Sequence, residues 1–316
     1  MHQFSVITPT FNRAKYLHDI YACLNQQGTV DFEWVLVDDG SSDGTEQIIS
    51  QFAPLRFELK YMYQKNAGKP TAVNVGVFMA DSYISVLLDS DDILLPYTLE
   101  TVWQYFDVAT EQFKHTCACV SGLCIYDTGQ VIGGKFPKDY SVSDHIRCCW
   151  NNYIYGDKCE FTLTTILKRY PFPVISGEKF ITESTVWNRI AINHQTLYVN
   201  QLFCKKKYLQ KGLSSQQLFS NNPRGSELFY NEATVPQFCL KLQIKHSAEY
   251  IHYAKINKQK HIFIQAKNKK IFLFGLYIYY MNICKRFLKK NPFLYMMYTA
   301  LKPKKLTNTD LKIFNE

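Results

Sequence analysis

The chain has 316 residues, 47% of them hydrophobic and 20% charged, with a net charge of +9. That length suits one large domain with a smaller appendage, and that composition excludes a disordered chain. Its ten cysteines lack the CxxC and paired-His spacings of a structural zinc site and are read as reduced thiols filling a core.

Phe4-Ser5-Val6-Ile7-Thr8 is an apolar run ended by Pro9 and predicts a buried strand. No charged segment and apolar stretch of a secretory leader fit ahead of it, so no leader is expected. Helical spacing follows over 14–26, with Leu17, Ile20, Tyr21 and Leu24 on one face. A second strand is predicted over 33–37. It runs into Asp38-Asp39-Gly40-Ser41-Ser42-Asp43-Gly44 and a helix over 45–52. A third strand is predicted over 57–63, then a helix over 70–79 with Pro70 tolerated in its first turn. The fourth strand, 83–88, runs into Asp89-Ser90-Asp91-Asp92, and a helix follows over 96–108.

Apolar strands alternating with amphipathic helices predict an α/β fold with a mainly parallel, doubly wound sheet flanked by helices. Ligands of such sheets bind outside the C-terminal ends of the strands. The segment 8–12, Asp38-Asp39 and the Asp89 cluster all fall at that edge. Carboxylates crowded there repel one another by roughly 1–4 kcal/mol per pair at ~4 Å. They suit a cation, or a ligand rich in hydroxyls and amide protons. Turn and cap readings compete, because Asp, Ser and Gly favour turns and Asp43 or Thr45 could cap the next helix. One carboxylate of the second cluster could complement a helix dipole, but three exceed what a cap needs. Segment 8–12 has no glycine, which excludes the dinucleotide fingerprint. Gly129 through Lys135 has Walker spacing, yet Phe136 stands where a Ser or Thr should and the context is a hairpin.

From Cys117 the pattern changes. A hairpin is predicted from 120–126, the turn Asp127-Thr128-Gly129 and Val131-Ile132, with polar turns and short aromatic runs to about Asn200. Residues 201–316 show no strand alternation and are predicted to be helices with basic faces. Residues 271–284 are fourteen positions without a charge, too short to span a bilayer and expected to form an interfacial or buried helix. Residues 241–316 carry 16 Lys and Arg against 3 acidic residues, a net +13, which leaves −4 on residues 1–240. Lys267, Lys269, Lys270, Lys285, Arg286, Lys289, Lys290, Lys302, Lys304 and Lys305 flank Phe272-Leu273-Phe274 and Phe293-Leu294-Tyr295. That pattern suits an anionic membrane surface, or equally a packed helical subdomain with solvated lysines. No nucleic-acid partner is expected, since no RNA-binding module is recognisable and the acidic front repels phosphate.

Four motifs in order, Ser5 through Arg13, Val37 through Thr45, Asn66-Ala67-Gly68-Lys69 with Asn74-Val75-Gly76, and Asp89-Ser90-Asp91-Asp92, resemble glycosyltransferase family 2 over about residues 3–200. The resemblance implies an A-type nucleotide-sugar-binding fold. It implies a catalytic domain at 1–200 and a C-terminal basic helical region at 201–316 for acceptor or membrane-surface contact. Pro9 and Thr10 would lie against the nucleobase, Asp39 would hydrogen-bond its imide edge, and Lys69 would approach base or phosphates. Asn12 and Asn74 would join them in the nucleotide-sugar site. Asp89 and Asp91 match the D-x-D signature that holds the ribose and a Mg²⁺ or Mn²⁺, and Asp92 is a neighbouring candidate ligand. Glu183 matches the helix-starting acid that serves as catalytic base, with Glu178 the runner-up; a purely dipole-complementing Glu183 stays open.

The implied activity is inverting, metal-dependent transfer from a nucleotide diphosphate sugar, a UDP sugar first, to a hydroxyl of a glycan or lipid-linked acceptor. The implied location is the cytoplasm or, peripherally, the inner face of its membrane. The Q-x-x-R-W segment of processive synthases is absent, so addition of one sugar at a time is expected. A nucleotidyltransferase is a rival, although segment 8–13 lacks its Gly-rich loop, and a catalytically inactive nucleotide-sugar-binding module is another.

Overall fold

A computed structural model describes residues 1–53, 56–113, 116–207 and 217–290. In chain order the first half contains β1 (His2–Thr10), α1 (Ala14–Leu24), β2 (Phe32–Asp38), α2 (Thr45–Ile49), β3 (Glu58–Tyr63), α3 (Lys69–Met79), β4 (Ser82–Leu87), β5 (Ile93–Leu94) and α4 (Thr98–Phe113). Then come β6 (Cys117–Tyr126), β7 (Ser141–Ser143), β8 (Lys158–Leu163), α5 (Thr164–Arg169), α6 (Ser184–Ala191) and β9 (Gln195–Lys206). They build one nine-stranded sheet in the order β3-β2-β1-β4-β8-β6-β9-β5, with β7 beside β9.

Strands β3, β2, β1 and β4 are parallel, as the alternating pattern requires. Beyond β4 the sheet is mixed: β8 is antiparallel to β4 and β6, β9 is parallel to β6, and β5 and β7 are antiparallel to β9. The two-residue period of a strand sorts the core into two layers. Phe4, Val6, Trp34 and Leu36 pack with Leu17 and Ile20 of α1 and Val102 and Phe106 of α4. Ile7, Val35 and Val37 pack on the other face with Val73 and Val77 of α3 and Val186 and Trp187 of α6. Each such side chain contributes roughly 1.5–3 kcal/mol by leaving water.

Two expectations are corrected and a third holds in a shorter form. Strand β1 does not stop at Pro9 but continues to Thr10. The missing N–H of Pro9 faces the β4 side, where pairing has already ended at Ile7 with Leu87, so the ring costs no ladder bond. The predicted hairpin after Tyr126 is present but short: Ile125 bridges Val131 antiparallel, the Tyr126 amide donates to the Gln130 carbonyl at 2.9 Å and the Ile132 amide to the Cys124 carbonyl at 2.8 Å, while β6 takes β8 and β9 as its long partners. Residues 201–206 are not helical: β9 carries the sheet past position 200, and register shifts in its pairing with β6 blur the alternation that would have revealed it.

Helices α7 (Gln217–Asn221), α8 (Pro223–Glu232), α9 (Leu240–Ile256), α10 (Ile262–Gln265) and α11 (Lys269–Lys290) follow. Lys302, Lys304, Lys305 and Phe293-Leu294-Tyr295 lie outside the described residues. The helices are tied to the sheet through a cluster of Ile146, Ala191, Ala233, Phe238 and Leu242. Arg189 of α6 adds a bidentate pair with Glu232 of α8, at 2.8 Å for each oxygen. Helix α11 crosses α9 at Gly275, where a Cβ would stand 2.3 Å from Ser247 Oγ, so only glycine permits the approach. Cys23, Cys117, Cys119, Cys124, Cys148, Cys149, Cys159 and Cys204 are buried free thiols, and Cys239 is a half-buried one.

Candidate active site

The C-terminal ends of β1, β2 and β4 lie side by side, which brings together the loops that follow them. Asn12 adopts a left-handed φ of 52°, a conformation asparagine tolerates. There it accepts from the Ser42 amide at 2.9 Å, while its own amide donates to Ser41 Oγ at 2.9 Å. Asn12 thus laces the loop after β1 to the loop after β2. Pro9 and Thr10 are buried at the end of β1, and Thr10 Oγ1 has no hydrogen-bond partner, an unmet need that a ligand could satisfy.

Asp39 is buried and heavily engaged. Gln64 Nε2 (2.7 Å) and the Ala67 amide (2.8 Å) donate to one carboxylate oxygen. The Gly68 amide (2.8 Å) and Asn66 Nδ2 (3.2 Å) donate to the other. The carboxylate therefore shapes the turn leading into α3, whose first residue is Lys69. A cation at a helix N-terminus opposes the macrodipole, so local helix energetics do not explain Lys69. Two carboxylates do: its Nζ lies 2.6 Å from Asp89 Oδ1 and 2.9 Å from Glu183 Oε1. Burial works against its charge, but Asp89 and then Glu183 outweigh it and raise the ammonium's pKa above the usual lysine range. In return, although burial pushes the Asp89 carboxyl up, Lys69 and then Lys206 hold it below the usual carboxylate range. Glu183 stands at the start of α6, so β4, α3 and α6 meet in one ion-paired chain.

The other two carboxylates after β4 separate. Asp91 is half-buried and forms no ion pair among the described residues; burial, then repulsion from Asp89, push its carboxyl up. A divalent cation would relieve both effects. Asp92 points away from this role: it is 4% exposed and its carboxylate holds Lys206 Nζ at 2.7 Å. Pairing of β5 with Lys205 and Cys204 brings the end of β9 beside Asp92. Burial opposes the Lys206 charge, but Asp92 and Asp89 keep it protonated. Asp92 is therefore corrected from candidate metal ligand to lysine partner.

Two more candidates fall outside the site. Asn74 is occupied on both ends of its carboxamide, donating to the Phe172 carbonyl and accepting from the Phe172 amide, each at 2.8 Å. It fastens α3 to the segment after α5. Glu178 accepts from the Arg224 and Gly225 amides at 2.7 Å each and caps α8, which removes it as a base. Neither Lys206 nor Glu160 on β8 stood out in the sequence; burial and then Glu183 push the Glu160 carboxyl up to about 8. The only signal for Glu160 was its alternation with Cys159 and Phe161. Among the described residues, His2, Glu33 and Glu58 have metal-ligand spacing, but at the opposite edge of the sheet. There His2 bonds Asp31 and Glu58, and Glu33 pairs with Lys60.

Comparison with known proteins bears on this edge directly. The model of a family described as Glycosyl transferase family 2 matches residues 5–120, which covers β1 through α4. The chain is 31% identical over 228 residues to the GalNAc(5)-diNAcBac-PP-undecaprenol beta-1,3-glucosyltransferase of Campylobacter jejuni, covering 69% of this chain and 66% of that protein. It is 33% identical over 132 residues to glycosyltransferase GlyG of Streptococcus pneumoniae, covering 40% of this chain and 44% of that one. The chain thus spans less than half of the latter's length. Its fold is similar to that of Staphylococcus aureus TarS residues 1–349 in complex with UDP, with a TM-score of 0.61 at 19% identity over 85% of this chain and 76% of that one.

Proposed function

Because the chain belongs to glycosyltransferase family 2 and has its A-type fold, we propose that it transfers a sugar from a nucleotide diphosphate sugar to an acceptor hydroxyl, inverting the anomeric carbon. The observation that carries this reading is the chain Glu183–Lys69–Asp89, with contacts of 2.9 and 2.6 Å at the C-terminal edge of the sheet. Pro9, Thr10 and the Asp39 turn form the nucleoside side of that edge. The donor is a UDP sugar first, an assignment supported by the fold's likeness to a protein solved with UDP.

The residues present fit a divalent cation. Asp91 offers an uncommitted carboxylate destabilised by burial, and Asp89 lies beside it. Those oxygens would hold Mn²⁺ or Mg²⁺, which when bound neutralises charge on the departing nucleoside diphosphate. Lys69 adds a fixed positive charge on the same side. As the bond from the anomeric carbon to phosphate breaks and the bond to the acceptor oxygen forms, Glu183 takes the hydroxyl proton. One displacement needs no covalent enzyme intermediate.

The acceptor is a glycan or lipid-linked saccharide, one sugar added per encounter, met at the inner face of the cytoplasmic membrane. A relative whose name carries a PP-undecaprenol acceptor supports that choice. No helix among the described residues is long and apolar enough to cross a membrane. The test is Glu183→Gln with labelled UDP sugars and Mn²⁺. Transfer should fall roughly 10²–10⁴-fold, the usual worth of a positioned base, while calorimetry shows unchanged nucleotide binding. Near-normal turnover would remove Glu183 from the role.

A further inference from the structure

Helix α11 turns one face to α9 and leaves the other uncovered. Ile271, Phe272 and Gly275 are buried, whereas Leu273 and Phe274 are each 60% exposed and Tyr277 is 65% exposed. Tyr280, one turn further along, is 50% exposed at the edge of the stripe, where Lys255 of α9 donates to its hydroxyl at 3.3 Å. The patch continues onto α10, where Phe263 and Ile264 are exposed and the Phe263 ring lies 5.4 Å from that of Phe272. Scattered apolar side chains on a surface are ordinary, but a contiguous aromatic stripe of this kind marks a contact.

Charge identifies the partner. Residues 257–290 contain nine Lys and Arg and no Asp or Glu. Lys267, Lys269 and Lys270 stand exposed at one end of the stripe and Lys285 at the other. The first turn of α11 holds no acidic residue, and Lys269 and Lys270 there oppose the helix dipole. Among the described residues neither lysine forms an ion pair; an external array of anions would compensate them. A surface that is apolar inside and negative at its rim is an anionic bilayer.

We propose that α10 and α11 lie along an anionic phospholipid surface, with Phe263, Ile264, Leu273, Phe274 and Tyr277 set at the acyl-chain boundary and the lysines on the headgroups. The buried side of α11 makes this attachment rigid. It packs on α9, whose Leu242 joins Phe238 against Ala191 of α6, the helix that begins beside Glu183. Docking therefore ties the domain that carries the catalytic edge to the lipid surface through packed side chains, and it rests on the proposed lipid-linked acceptor only for its purpose.

Flotation of the full chain with phosphatidylglycerol-containing vesicles and with pure phosphatidylcholine vesicles tests the idea. Binding is expected to the anionic vesicles alone and to weaken with salt. Lys269→Gln with Lys270→Gln should weaken it about thirtyfold. Leu273→Ser with Phe274→Ser and Tyr277→Ser should abolish it, with the unfolding midpoint of each variant as a folding control. Equal binding by wild type and both variants, or no binding by wild type, overturns the proposal. So does a wild-type dimer that the serine variant splits without any vesicle binding, which would assign the face to a second copy. Binding that appears only when the chain is cut after Lys290 would instead assign the face to residues 291–316, with the same consequence. The assay reads no sugar transfer, so its failure leaves the catalytic proposal standing.

Discussion

Replacing Lys69 by methionine keeps the length of the side chain and removes the charge that joins Asp89 to Glu183. Truncating one partner of a fully buried pair costs about 3–5 kcal/mol, because the remaining charge is left uncompensated. Here the side chains of Lys69, Asp89 and Glu183 are 20%, 33% and 36% exposed, so solvent screens part of that loss. The expected cost at neutral pH is about 1–2 kcal/mol. For a domain of this size that lowers the unfolding midpoint by about 2–8 °C. The sign with pH follows from Asp89. Its carboxyl is held below the usual range in the folded protein, so its contribution is present above the unfolded value of about 4 and is lost as pH falls through the folded one. The gap between wild type and Lys69→Met should therefore be full near pH ~7 and reduced by pH ~3, below the unfolded carboxylate value. Thermal unfolding followed by circular dichroism at both values checks this. Equal midpoints near neutrality, or a gap that widens on acidification, would refute the ion-paired chain.

Asp91→Asn should weaken nucleotide-sugar binding in the presence of Mn²⁺ and leave metal-free binding unchanged; calorimetry with and without the ion decides. Asn74→Ala should cost about 1–3 kcal/mol in urea unfolding, because the Phe172 amide and carbonyl lose their partners, and should leave nucleotide affinity unchanged. Glu178→Ala removes the cap of α8 and should cost about 1 kcal/mol while activity per folded molecule stays the same, in contrast to Glu183→Gln.

The parallel half of the sheet was legible because each strand is buried on both faces and reads as a continuous apolar run. Its acidic loops stood at the strand ends, so Asp39, Asp89 and Asp91 could be placed at one edge without coordinates. The Asn74-Val75-Gly76 motif was visible but misleading. Asn74 serves the Phe172 backbone, and Gly76 is needed because a Cβ there would stand 2.4 Å from Ile7 Cγ2. Asp92 could not be told from its neighbours, since the lysine that neutralises it lies 114 positions away. Strand β9 escaped notice for two reasons: Asn200 and Gln201 interrupt its apolar run, and the shifts against β6 break its period. Glu160 escaped because a glutamate in an alternating strand reads as solvent-facing, whereas here it is half-buried and lines a small cavity with Trp187, Ile190 and Ala191 of α6.

The four donors around Asp39 have a consequence for substrate choice. An ionised carboxylate offers about four acceptor positions, and Gln64, Asn66, Ala67 and Gly68 fill them. A nucleobase that claims Asp39 must evict one of these donors. The two backbone amides cannot leave without dragging the peptide that carries Lys69. The carboxamides of Gln64 and Asn66 can swing away without moving that turn, so a base that engaged Asp39 would trade places with one of them while Lys69 stays where it is. A base with no donor to offer at that position would gain nothing from the exchange and leave the resident carboxamides in place.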